Sequence, residues 1–236
     1  MNYLLVHGSW HGNWCWYKVV AELKRRGRAV FAPNLPGCEG QQGGLPTLRD
    51  YVSAVGGVIG NLPDASVILV GHSMGGGVIS AVAEAYPEKL QKLVYLSASL
   101  VPDGHSMMEV AQDDISETQR FMRISADGTF STFAPEGLRS TFYADCSDED
   151  VALAKLLVRA QPLEPFTARL NLTNERYGRI PRAYVMCTQD VAINIGLQRK
   201  MLKQMPCQQV VELNSSHSPF LSLPRQLVTL LEQLSA

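Results

Sequence analysis

Val67-Ile68-Leu69-Val70-Gly71-His72-Ser73-Met74-Gly75 decides how this chain is read. Four apolar, largely β-branched residues give a buried strand, G-x-S-x-G follows at once, and an amphipathic segment runs on from Ser73 to Tyr86. A strand that turns straight into a helix strains the residue at its apex. Only small neighbours two positions away on either side escape collision, and Gly71 and Gly75 supply them. The strain lifts the Ser73 hydroxyl above the sheet edge, where a helix N-terminus offers free N–H groups and partial positive charge to an anion. Gly75-Gly76-Gly77 also invites a phosphate-loop reading, but no Lys follows, so that reading fails.

Around this stretch the chain alternates short apolar runs with helix-length segments, the pattern of a parallel sheet covered on both faces. Strands are predicted at Tyr3–His7, Ala29–Ala32, Val67–Gly71, Leu93–Ser97, Arg182–Cys187 and Gln209–Leu213, six in all. Helices are predicted at Trp16–Arg26, Leu48–Asn61, Ser73–Tyr86 and Arg225–Leu234, with Gly27 capping the first and Pro87 stopping the third. Between Val101 and about Arg179 the rhythm breaks into a mixed segment with a helical stretch at Asp148–Arg159 and isolated aromatics (Phe121, Phe130, Phe133, Phe142, Tyr143). The expected organisation is therefore a core of residues 1–100 and 180–236 with a cap, or lid, inserted at 101–179. The run Gly37 to Gly44 reads as a loop without the order of a dinucleotide site.

With 236 residues, 46% hydrophobic, the chain can bury one sizeable core. Lys+Arg 21 against Asp+Glu 22 leaves no clustered cationic charge for nucleic acid. No apolar run approaches the roughly 20 residues of a membrane span, and Met1 leads almost directly into the first strand, so a soluble, unprocessed protein is expected. Five scattered cysteines without a C-x-x-C pair suit a reducing cytoplasm and small buried hydrophobes rather than a zinc or disulfide framework.

A serine hydroxyl needs a base, and the base an orienting acid. Of the histidines, His217 follows the last strand and would reach the carboxyl edge of the sheet beside Ser73. Asp190 closely follows the strand before it, so the order is Ser73, Asp190, His217. Oxyanion donors are expected from the backbone N–H groups of Met74 and of Ser9, in the glycine-flanked loop after the first strand. His7 and His11, four apart in that loop, read as hydrogen-bonding residues that shape it, and no metal site is assigned. Trp10, His72, Phe121 and Phe133 are the candidate substrate contacts, with Trp16 in the helical pattern.

At these residues the chain resembles the methylesterase and hydroxynitrile lyase family of α/β-hydrolases. The likeness runs from Tyr3 to about Leu231 through Val6-His7-Gly8, His11-Gly12-x-Trp14-x-Trp16, the G-x-S-x-G turn, Cys146 to Ala154, Leu157-Val158-Arg159, Arg176-Tyr177-Gly178 and Thr188-Gln189-Asp190. It implies an α/β-hydrolase fold with a cap over a mostly apolar pocket. The family's lyases carry Thr or Asn after the first-strand histidine, and one group has Lys after the catalytic histidine; here Gly8 and Ser218 stand at those positions. The expected activity is hydrolysis of a small methyl or aryl ester through an acyl-enzyme. No cofactor is expected, and the only partner is the ester itself, with a homodimer left open. Cyanohydrin cleavage and a non-catalytic small-ligand receptor are the alternatives. Gly77 and the aromatics of the inserted segment depart from the family's pattern.

Overall fold

The computed structural model describes residues 2–37, 45–62, 66–112 and 116–235. Cys38 and the glycine-rich run beyond Gly37 lie outside the described residues. The strands are β1 (Asn2–Val6), β2 (Ala29–Phe31), β3 (Val67–His72), β4 (Leu90–Leu96), β5 (Met122–Ile124), β6 (Phe130–Phe133), β7 (Gln161–Pro162), β8 (Arg182–Cys187) and β9 (Gln209–Leu213). Six of them form one sheet in the order β2-β1-β3-β4-β8-β9, parallel at every pairing. The chain leaves β1 toward β2 on one side and returns to β3 on the other. That reversal opens a crevice at the carboxyl ends of β1 and β3, the place where open α/β sheets take ligands.

Alternation along the strands divides the core. Tyr3, Leu5, Ile68 and Val70 face α1 (Tyr17–Arg25) and the C-terminal Pro224–Ser235 helix, while Leu4, Val6, Val67 and Leu69 face the opposite layer. That layer holds α2 (Leu48–Gly60), α3 (Gly75–Ala85) and, later in the chain, Ile195–Gln204. All of β3 is buried. Each apolar side chain so buried contributes about 1.5–3 kcal/mol, which is why an unbroken apolar run rather than an alternating one lies at the sheet centre.

The six expected strands are all present, and the differences lie at their ends. Helix α3 begins two residues later than predicted, because Ser73 has φ 55° and a left-handed residue cannot lie inside a right-handed helix. Strand β4 starts three residues earlier and stops at Leu96, since Ser97 also turns left-handed at φ 38°. Helix α1 starts after a 3₁₀ turn at Asn13–Trp16. Gly27 takes φ 74° at its end, and Arg28 N–H donates to the Leu23 carbonyl at 3.0 Å, as the cap predicted.

The inserted segment has strands of its own, contrary to the sequence reading. Antiparallel β5, β6 and β7 are three, four and two residues long, too short to leave a periodic signal. With them come α4 (Met107–Gln112), α5 (Glu117–Phe121), α6 (Leu138–Phe142), α7 (Asp148–Leu157) and α8 (Glu164–Thr167). Phe133, Leu138, Phe142, Tyr143 and Val151 join the core on the α1 side. The remaining helices are α9 (Ile195–Gln204), α10 (Pro219–Ser222) and α11 (Pro224–Ser235).

A methyl group at Gly75 would stand 2.7 Å from the Val6 carbonyl oxygen, and one at Gly71 would stand 2.5 Å from the Gly75 carbonyl oxygen. Backbone cannot yield as a side chain does. Gly75→Ala is expected to lower the melting temperature by more than about 5 °C, whereas Gly57→Ala, exposed on α2 with open space around it, should raise it by about 2–3 °C. Thermal denaturation of the two variants checks this.

Candidate active site

Ser73 stands between β3 and α3 with its peptide locked from both sides: its N–H donates to the Leu96 carbonyl at 3.4 Å, and its carbonyl accepts from Ser99 N–H at 2.9 Å. Its left-handed φ is the strain the sequence predicted at the turn. Gly8 lies against it so closely that a Cβ there would be 2.7 Å from the Ser73 Cβ. The serine is half-buried and opens into a cavity of about 110 Å³. Ser9, Trp10, Met74 and Ser99 line the same cavity, so the residues with the two expected oxyanion donors share a wall with the serine. The Met74 amide belongs to the head of α3, where helical N–H groups have no intrahelical acceptor.

His217 is fully buried in the loop after β9, between His72 and Phe142, with ring centroids 4.5 and 5.5 Å away. His72 adjoins Ser73 in the chain, and Phe142 lines the cavity that Ser73 opens into. The imidazole therefore sits at the same sheet edge as the serine. Its Nδ1 lies 2.6 Å from Asp190 Oδ2. A carboxylate can only accept, so Nδ1 carries a proton, and the neutral ring has its lone pair on Nε2, the tautomer a general base needs. Asp190 is itself buried, and Oδ1 accepts from the N–H groups of Ala192 (2.7 Å) and Ile193 (3.1 Å). Ser97, which sequence reasoning missed, donates its hydroxyl to the same Oδ2 that holds His217. Nothing in the sequence marks it, because its value lies in a left-handed kink at the tip of β4.

The other imidazoles shape the scaffold. Leu35 N–H donates to His7 Nε2 at 3.0 Å, and His7 Nδ1–H donates to the Gly8 carbonyl at 2.8 Å. His11 Nδ1–H donates to the Ser9 carbonyl at 2.7 Å, and the Tyr143 hydroxyl donates to His11 Nε2 at 2.6 Å. Both rings thus have each nitrogen engaged and turn the peptides of Gly8 and Ser9. His72 Nε2–H donates to the His217 carbonyl at 2.8 Å. Burial pushes His7 down to about 4 and His11 to about 3, and it holds His72 well below the usual histidine range.

Of the expected substrate contacts, Trp10 lines the cavity. It has φ 60° and is clamped by the inserted segment: its N–H donates to Gln161 Oε1 (3.3 Å), its indole N–H to Ser131 Oγ (3.2 Å), and its carbonyl accepts from Arg159 N–H (3.0 Å). His72, Phe121 and Phe133 lie elsewhere. His72 is wholly buried behind the serine, and Phe133 packs between Trp10 and Phe142 at centroid distances of 5.2 and 4.4 Å. Phe121 packs on Phe133 and over Gly137. The walls are instead rich in methionine: Met74, Met107, Met108, Met122 and Met201, five of the chain's eight. Among the described residues the lining carries no charged side chain.

The alpha/beta hydrolase family model matches residues 3–230. The chain belongs to that family. Among the curated relatives of this alpha/beta hydrolase are the Arabidopsis thaliana proteins putative methylesterase 14, chloroplastic (33% identical over 99% of this chain and 71% of the relative) and methylesterase 7 (32%, over 99% and 95%). Similar solved structures include a pyrethroid hydrolase from Sphingobium faniae JZ-2 (TM-score 0.91, 28% identity, 100% and 97% of the two chains). Polyneuridine aldehyde esterase follows closely (TM-score 0.88, 28% identity, 100% and 99%). Among the described residues, no helix is long and apolar enough to cross a membrane.

Because His7 and His11 are depressed from 6.5, the unfolded chain takes up protons that the folded hydrolase refuses. Their stabilising effect is fully present above about pH 6.5 and is lost as pH falls toward about 4 and about 3. Denaturant titrations at pH 7, 6, 5 and 4.5 should show stability falling with pH, and His11→Gln, with no proton to gain, should give a shallower slope.

Proposed function

We propose that this alpha/beta hydrolase cleaves a small carboxylic ester with Ser73 as nucleophile, His217 as base and Asp190 as the acid that orients it. The observation that carries this reading is the serine held left-handed on the wall of an uncharged cavity, at the same sheet edge as a buried, carboxylate-bound imidazole. Ser73 Oγ attacks the ester carbonyl while its proton passes to His217 Nε2. The carbonyl oxygen becomes negative as its carbon turns tetrahedral, and the N–H groups of Ser9 and Met74 take that charge. Asp190 stays ionised and stabilises the imidazolium. Collapse expels the alcohol, which takes its proton from His217. Water, deprotonated by the same nitrogen, then attacks the acyl-enzyme and frees the acid and Ser73.

The relatives and neighbours named as methylesterases and an esterase support an ester substrate. Against the lyase alternative stands the packing at Gly8: any side chain there meets Ser73 Cβ at 2.7 Å and the His72 carbonyl at 3.2 Å. The position after His217 carries Ser218, and among the described residues no cation lines the cavity to hold a leaving cyanide. In this reading residues 101–179 act as the lid over the acyl pocket. A cytoplasmic setting suits the buried thiols of Cys15, Cys146 and Cys187.

Ser73→Ala should reduce kcat on p-nitrophenyl acetate and butyrate by at least about 10³-fold; wild-type turnover in that variant overturns the assignment. Ser97→Ala removes one charge-assisted bond from Asp190, and about a tenfold loss in kcat with KM little changed is expected. Steady-state kinetics on the same substrates reads both.

A further inference from the structure

The turn that holds Ser73 requires a small residue at Gly75, yet two more glycines follow it. Gly76 is explained by backbone: a Cβ there would stand 3.0 Å from Ser99 N and 2.9 Å from the Ala98 Cβ. Gly77 is different. The three atoms nearest to its absent Cβ all belong to the side chain of Met107, which overlaps that position at Sδ and at Cγ (2.7 Å) and touches it at Cε (3.0 Å). Gly77 lies one turn along α3 from Met74, to whose carbonyl its N–H donates at 3.1 Å. Met107 is only 2% exposed and lines the cavity that Ser73 opens into. Its thioether rests in the notch left by a missing methyl group, and its side chain lines the same cavity as the reacting serine.

We infer that Met107, seated in the Gly77 notch, sets the depth of the acyl end of the cavity and so the acyl chain length the enzyme accepts. This rests on the ester-hydrolase reading of the site. An alcohol must leave before water can attack the acyl-enzyme, so the open end of the cavity serves the leaving group and the enclosed end keeps the acyl chain. Met107 belongs to the enclosed end by its burial. Its anchor is firm. Ser106 N–H donates to Glu109 Oε2 at 2.8 Å and Glu109 N–H to Ser106 Oγ at 3.2 Å, a capping box at the start of α4. Arg169 reaches the Gly104 carbonyl at 2.7 Å and pairs with Glu109. With its backbone so fixed, a methionine evicted from the notch has the cavity as the space to enter, and its unbranched, rotatable side chain can make that move. An uncharged, methionine-rich wall selects by length rather than by charge.

The test measures kcat/KM for p-nitrophenyl acetate, butyrate, hexanoate and octanoate with wild type, Gly77→Ala, Met107→Ala and the double variant. Gly77→Ala should fold, since a helix favours Ala over Gly and the displaced atoms end a flexible side chain. It should lower the octanoate-to-acetate ratio about tenfold or more, and Met107→Ala should raise it by a similar factor. In the Met107→Ala background, Gly77→Ala should change the ratio by less than about threefold, because its effect acts through Met107 alone. Unchanged ratios, or a Gly77→Ala effect of equal size with and without Met107, overturn the inference. Calorimetric binding of methyl ketones of increasing alkyl length, which need no turnover, reads the same cavity if the esters are not cleaved. A length cut-off that moves in the two single variants then upholds the Met107 assignment while the hydrolase reading falls, and a cut-off fixed in all four proteins overturns it.

Discussion

The architecture depends on how closely the first turn of α3 approaches the end of β1. At Gly75 the helix backbone rests on the Val6 and His7 carbonyls with no side chain between. That approach brings the loop carrying Ser9 to the serine, and the bare Gly8 lets it close on the Ser73 Cβ. The head of α3, the Ser9 loop and Ser73 share one point because Gly8, Gly71 and Gly75 remove the atoms that would hold them apart. Strain at Ser73 is tolerated because hydrogen bonds from β4 and Ser99 fix its peptide from either side.

A second constraint is electrical. Four histidines crowd the carboxyl edge of β1 and β3, with His11 and His72 rings 6.2 Å apart and His72 and His217 4.5 Å apart. Such a cluster is stable only if most of its members stay neutral. Burial keeps His7, His11 and His72 so, and each hands its protons to backbone carbonyls. Among the described residues, His217 alone of the four is bonded to a carboxylate, and that asymmetry sets it apart from the other three.

The sheet was legible in the sequence because its signals are local: apolar runs of strand length, Gly27 at a helix end, and a G-x-S-x-G between strand and helix. The order of Ser73, Asp190 and His217 was legible for the same reason, each residue following a recognisable strand. The cavity walls were not. Phe121 and Phe133 carry the composition expected of a binding surface, yet they pack on Trp10, Phe142 and each other. Met107, Met122 and Met201 come from three short or distant elements whose convergence only tertiary packing fixes. Ser97 and the strands of the inserted segment escaped because a kink and runs of two to four residues leave no period to read.

The inserted segment grips the site at two separate places. Ser131, Arg159 and Gln161 hold the backbone and indole of Trp10, beside the Ser9 peptide. Asp145 accepts from Ser216 N–H at 3.0 Å and from the Ser216 hydroxyl, one residue before His217. A chimaera that exchanged this segment with that of a cousin enzyme to borrow a new specificity would have to bring those four anchors with it, together with Tyr143, whose hydroxyl donates to His11 Nε2. Without them the donor loop and the imidazole loop would each lose their outer strut, and the graft would alter the chemistry along with the choice of ester.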